Sequence, residues 1–194
     1  MDIREKLKKV WNFLVNDDSW ASFLADLIII IIFAKFILYP VIGMTLGTSF
    51  PLVAVVSGSM DHQDQDFNTW WNAKESFYLN HNISEEQFHR FYLSDGFKKG
   101  DVLVIKGEPP GNFEIGDIIV FHESSRANPI IHRVIAKIDN ETYATKGDAN
   151  SQQLTFEKKI KYSNIEGKAV LMIPKIGWVK VGAVDLLGYL RTLI

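Results

Sequence analysis

The stretch WASFLADLIIIIIFAKFILYPVIGM, Trp20 to Met44, constrains this chain more than any other. As a helix rising about 1.5 Å per residue, it is long enough to cross a hydrocarbon core of about 30 Å. Two charges fall inside it, Asp26 and Lys35. At the centre of a span each would cost roughly 2.5–3.5 kcal/mol. They lie on opposite sides of the middle, however, and the Lys35 stem is long enough to snorkel. Five consecutive isoleucines, with Leu27, Phe33, Phe36, Ile37 and Leu38, offset most of the penalty. The expectation is one transmembrane helix over residues 20–43. The competing reading is a buried core helix. A cleaved signal peptide fits less well, because the apolar run is long, begins late and meets no clear small-x-small site.

The flanks set an orientation. Arg4, Lys6, Lys8 and Lys9 precede the run, and no Lys or Arg stands between Lys35 and Lys74. The positive-inside rule then places residues 1–19 in the cytoplasm and the chain after about residue 42 on the outer or lumenal side. Within residues 1–19, Ile3, Leu7, Val10 and Leu14 share a helical spacing with those basic residues. The pattern is that of a basic amphipathic helix at a membrane surface, or of an ordinary solvated helix.

From Phe50 onward the texture changes. FPLVAVV, DVLVIKG, GDIIVFHE, IIHRVIAKI, ETYATKG and GKAVLMI are short β-like runs, mostly separated by Gly, Pro, Asn and Asp. They predict a mainly β domain over residues 50–175. Residues 61–99 break the rhythm with Trp70, Trp71, Phe77, Tyr78, Phe88, Phe91 and Tyr92, and Ser84-Glu-Glu-Gln87 reads as a capping box. This segment is expected to be a small helical insertion. The tail, residues 176–194, is apolar but carries Lys180, Asp185 and Arg191, which favours the membrane interface over a second span.

The chain has no cysteine, which removes thiolate catalysis, disulfides and cysteine-based zinc sites together. A formal charge of −2 without a basic stripe gives no sign of a nucleic-acid partner. A nucleophile would then be a hydroxyl, which needs a base beside it. Ser57 and Ser59 follow an apolar strand and flank Gly58, although Ser-Gly-Ser-Met by itself is ordinary turn chemistry. Among His62, His81, His89, His122 and His132, only the last falls on the apolar face of a strand. Ile130, His132, Val134, Ala136 and Ile138 alternate with a face carrying Arg133 and Lys137. Such a histidine is either a satisfied core residue or a base with a pKa near working pH. Lys137 points away from that face; Lys146 is not excluded by parity. Asp148, in TKGDAN, is a turn residue or the carboxylate that orients the histidine. Asp61, His62, Asp64 and Asp66 in DHQDQD match no cation-loop spacing and read as a solvated loop. Asn82-Ile-Ser84 and Asn140-Glu-Thr142 are glycosylation-type triplets of a kind that arises by chance.

The order SGSM, GDIIVFH, IIHRVIA and TKGDAN, behind one N-terminal apolar helix, resembles type I signal peptidase, and more narrowly its archaeal and endoplasmic-reticulum branch. The matching boxes span about residues 50–175. The resemblance implies a membrane-bound serine endopeptidase with a β-rich catalytic domain and no cofactor. It would remove signal peptides from translocated preproteins beside membrane lipid and the export machinery. It makes Ser59 the nucleophile, His132 the general base where bacterial members have lysine, and Asp148 the aspartate of the Gly-Asp box. Ser57 and the Ser59 N–H would line the oxyanion hole. The substrate would lie extended along a strand edge, with small residues at the first and third positions before the cut. Two departures stand out. Many relatives carry a second aspartate after the Gly-Asp box, where this chain reads ANSQQLTFE, and the 61–99 insertion is longer than the direct connection of simpler members. Two other readings are a Ser-Lys autoprotease of the SOS-repressor type with Lys146 as base, and a non-catalytic membrane-anchored β-domain that binds peptides.

Overall fold

A computed structural model describes residues 2–178 and Gly182. The expectation for the tail therefore lies almost wholly outside the described residues. The chain divides into two compact units, residues 1–45 and residues 46–194.

The first unit is helical. Helix α1 (Ile3–Asn16) starts at Asp2, whose side chain accepts the Arg4 N–H, and it buries no residue. Ser19 caps the next helix by accepting from the Ser22 N–H. This long helix runs Trp20–Leu46, 27 residues with a mean hydropathy of 2.5, and none of its most apolar stretch is buried within the protein. At about 1.5 Å per residue it exceeds the thickness of a hydrocarbon core. It comprises α2 (Trp20–Phe33), a π-helical stretch Ala34–Leu38, and α3 (Tyr39–Leu46). The Tyr39 N–H reaches back to Ala34 O, and the next residue, Pro40, has no N–H to continue the regular ladder.

The second unit is built on one seven-stranded sheet in the order β1-β2-β7-β3-β4-β5-β6. The strands are β1 (Leu52–Ala54), β2 (Val102–Lys106), β3 (Ile118–Phe121), β4 (Ile130–Lys137), β5 (Thr142–Lys146), β6 (Ile160–Lys161) and β7 (Ile165–Ile173). Every neighbouring pair is antiparallel. Six of them coincide with the apolar runs read from the sequence. The two-residue β6 is too short to leave a periodic trace.

The insertion is helical as expected, with α4 (Phe67–Leu79) and α5 (Glu85–His89). Asp66 caps α4, its Oδ1 3.0 Å from the Thr69 N–H, and that hydrogen bond lowers the Asp66 pKa. Ser84 caps α5 through the Gln87 N–H. The DHQDQD loop is partly explained by these local roles: Asp61 bridges to Gly96, and Asp64 pairs with Lys98. His62, however, is buried, stacked on Trp70 with ring centroids 3.9 Å apart.

Strand β4 departs most from expectation. Its alternation predicts one buried face and one solvated face bearing Arg133, but Ile131 through Ile135 are all buried. The His132 face packs in a cluster with Phe113, Ile119, Phe121, Val134 and Tyr143. The opposite face is covered by the insertion, whose Trp70, Trp71, Tyr78, Ile83 and Phe88 pack on Ile135 and Ala144. Arg133 lies under that cover, its guanidinium carbon 4.8 Å from the centre of the Phe88 ring.

Candidate active site

Strand β1 ends at Ala54, and the chain then turns through Ser57-Gly-Ser-Met60. Val55 anchors the turn, its N–H donating to Asp101 O and its carbonyl accepting from the Gly100 N–H. Met60 is buried in the core beside Val53, Val55 and Leu103. With both ends fixed, the two serines are held in a rigid bend. Ser57 is exposed and Ser59 half-buried, and their hydroxyl oxygens are 3.2 Å apart.

His132 comes from the middle of β4. It lines, with Ser57, Ser59, Asn150, Leu154 and Phe156, a cavity of about 490 Å³ whose other walls include Val53, Val55 and Ile131. The reason the imidazole can stand beside the serine turn is a missing side chain. Gly147 follows β5, which pairs with β4 in the register Arg133↔Lys146 and Val134↔Thr145. A Cβ on Gly147 would come within 2.7 Å of His132 Nε2, 2.7 Å of Asn150 Nδ2 and 2.8 Å of Ser59 O. Glycine is the residue that leaves those three groups room to converge.

The other ring nitrogen, His132 Nδ1, is hydrogen-bonded to Glu157 Oε1. Glu157 is buried in a short 3₁₀ turn, Thr155–Lys158, and three further donors hold it. The Leu154 N–H donates to Oε2 at 2.7 Å, the Thr145 hydroxyl donates to Oε1 at 3.3 Å, and Gln153 Nε2 donates to the Glu157 carbonyl at 3.2 Å. A buried carboxylate on Nδ1 fixes a histidine with Nε2 facing the cavity and stabilises it when it becomes charged.

Asp148 does not orient His132, contrary to the expectation from the Gly-Asp box. Its carboxylate lies on the far side of the loop, in the buried space with Arg133. Arg133 Nε donates to both Oδ1 and Oδ2 at 3.1 Å, and Nη2 donates to Oδ2 at 2.6 Å. The Tyr78 hydroxyl donates to Oδ1 at 3.2 Å, and His62 Nε2 stands 3.7 Å from Oδ2, beyond hydrogen-bond range. Burial raises the Asp148 pKa, but the charge of Arg133, its hydrogen bonds and the nearby His62 ring together outweigh this and hold the carboxyl at about 2. Arg133 Nη1 donates to the carbonyls of Tyr92 and Gly116, and Nη2 donates also to the carbonyl of Leu93.

Lys146 is also displaced from the expected chemistry. Opposed to Arg133 in the register, it shares the Arg133 face and not the His132 face. Its Nζ donates to Gly147 O at 3.0 Å and lies 5.0 Å from the ring centres of Phe77 and Tyr78. Burial lowers its pKa to about 8. Among the described residues no group of three His, Asp or Glu side chains is placed to hold a metal ion.

The residue missed in the sequence is Glu157. It closes the stretch ANSQQLTFE, which follows the Gly-Asp box and holds no aspartate. A search for any carboxylate there would have found it.

No family model matches the chain. Curated relatives do. The signal peptidase complex catalytic subunit SEC11 of Scheffersomyces stipitis is 25% identical over 157 residues, covering 76% of this chain and 74% of its own length. The proteins of the same name from Eremothecium gossypii and Saccharomyces cerevisiae are each 28% identical over 99 residues. Those two matches cover 46% of this chain and 59% of the relative, so the aligned part is less than two thirds of their length. Four motifs in order, a β-rich domain after an apolar helix, and these matches agree: the chain is similar to type I signal peptidases of the endoplasmic-reticulum branch.

Proposed function

We propose that this protein is a membrane-anchored serine endopeptidase that cleaves signal peptides from translocated preproteins, with Ser59 as nucleophile, His132 as general base and Glu157 as the group that orients the histidine. One observation carries the reading. His132 lines the same cavity as Ser57 and Ser59 while its far nitrogen is held by a buried carboxylate. In the reaction, Nε2 takes the Ser59 hydroxyl proton as Oγ attacks the scissile carbonyl carbon. The Ser59 N–H and the Ser57 hydroxyl donate to the oxyanion that forms. The histidine passes its proton to the leaving amine, an acyl-enzyme remains on Ser59, and a water deprotonated by Nε2 releases the signal peptide.

The remaining parts follow from that role. The Trp20–Leu46 helix is the anchor, with residues 1–19 cytoplasmic and the catalytic domain, residues 50–175, on the outer or lumenal side. The substrate occupies the cavity beside β1, where Val53, Val55 and Ile131 offer shallow apolar walls. Membrane lipid, the export machinery and further subunits of a peptidase complex are the expected partners. A Ser-Lys mechanism through Lys146 is disfavoured, because that side chain lies on the other face of the sheet.

The test is cleavage of a purified preprotein by the detergent-solubilised full chain as wild type, Ser59→Ala and His132→Ala, with folding followed by circular dichroism. Both variants should remain folded and lose cleavage. Wild-type rates in folded Ser59→Ala would overturn the assignment.

A further inference from the structure

The 61–99 insertion does more than cover an apolar face. Along α4, Lys74, Phe77 and Tyr78 fall on one side of the helix, with Lys74 and Tyr78 one turn apart. That side meets the end of β5 at Lys146 and the following loop at Asp148, Ala149 and Asn150. Phe77 and Tyr78 present their ring faces to Lys146. The Tyr78 hydroxyl donates to Asp148 Oδ1, and Lys74 Nζ donates to Ala149 O at 3.0 Å and lies 3.5 Å from Asn150 O.

This loop is the one that faces the reaction centre. The Ala149 N–H donates to Ser59 O at 2.9 Å, so Ala149 holds the serine turn with its amide while Lys74 holds its carbonyl. Gly147 leaves the gap in which His132 Nε2 and Ser59 O approach each other. The Asn150 N–H donates to Gly147 O, closing the turn, and Asn150 itself lines the cavity. A lysine ammonium on two successive carbonyls is a charge-assisted contact, stronger than a neutral one. Lys74 is the sole cation that α4 contributes, and it is half-buried at this contact.

We infer that helix α4 is the positioning element of the catalytic site, and that Lys74 is a positioning residue which, through the Ala149 peptide, holds the Ser59 backbone against His132. The inference rests on the Ser59–His132 reading for its effect on rate, but not for its effect on the loop. Displacing a reacting group by even about 1 Å can lower a rate by about 100-fold.

The experiment compares wild type, Lys74→Met and Lys74→Arg in the full chain, with two readouts. The first is amide hydrogen exchange of the peptide covering residues 145–153. The second is kcat and KM for preprotein cleavage, with Ser59→Ala alongside. Lys74→Met, which is one atom shorter, unbranched and donates no hydrogen bond, should speed exchange in that peptide at least about tenfold, as expected for a locally opened loop. It should lower kcat about 10- to 100-fold with KM little changed, as for misalignment at a distance. Lys74→Arg should restore most of both. Unchanged exchange and unchanged kcat in Lys74→Met would overturn the inference. So would a loss that Lys74→Arg fails to rescue, since that would mark a general packing role. If wild type and Ser59→Ala cleave alike, the catalytic reading fails, and the exchange measurement still decides whether Lys74 holds the loop.

Discussion

Replacing Asp148 by asparagine separates the two roles open to that carboxylate. The structure places it in a fully buried ion pair with Arg133, and its pKa is held at about 2 against an ordinary 3.8. At about 1.36 kcal/mol per pKa unit, this corresponds to about 2–3 kcal/mol of folding stability at neutral pH. Removing one partner of a buried pair gives a similar or larger figure, about 3–5 kcal/mol, because Arg133 would be left charged and without its counter-ion. For a chain of this size each kcal/mol moves the melting temperature by about 2–4 °C, so Asp148→Asn should melt roughly 5–20 °C lower. The pH dependence has a definite sign. A carboxyl whose folded pKa is depressed stabilises the fold above its unfolded pKa, and that contribution is lost as pH falls through 3.8 toward about 2. The gap in melting temperature between wild type and Asp148→Asn should therefore be full at neutral pH and close as the pH falls below 4. Thermal unfolding of both full-length proteins in detergent, at several pH values, measures it. Folded Asp148→Asn should keep most of its kcat. A melting temperature within about 2 °C of wild type, together with a loss of kcat near 10⁴-fold, would refute the argument and return Asp148 to the histidine.

Glu157→Gln should show the reverse pattern. The amide keeps a hydrogen bond to His132 but not the negative charge that favours the imidazolium, so kcat should fall by about 10²–10⁴-fold, read in steady-state cleavage at fixed pH. Lys146→Met should retain cleavage activity, because the lysine lies on the opposite face from His132. Complete loss in a folded Lys146→Met protein would favour the Ser-Lys reading.

The local chemistry of this protein is legible in its sequence. Hydropathy alone marks the Trp20–Leu46 helix as a run long and apolar enough to cross a hydrocarbon core. Short apolar runs between turn residues mark six strands, and Ser84 marks one helix start through its capping box, whereas Asp66 reads as a loop residue and only the fold shows it capping α4. Parity along β4 marks His132 but fails for Lys137: the register shift between Val134 and Ala136 pairs Lys137 with Tyr143, which returns it to the His132 face, where its Nζ donates to Gly111 O. The SGSM turn sits where its flanking apolar residues are anchored. What lies across the sheet from each residue is another matter. Arg133 reads as a solvated residue because alternation assumes one wet face. Only the folded chain shows the insertion, some forty to seventy residues earlier, closing over that face and forcing the cation to find Asp148. Once Asp148 is committed to Arg133, His132 needs a different carboxylate, and the 3₁₀ turn at Thr155–Lys158 delivers Glu157 to it. A charged group removed from water must be paired, and which pairs form depends on contacts between segments far apart in the chain. Sequence spacing carries the periodicity of helices and strands; it does not carry the burial that assigns each charge its partner.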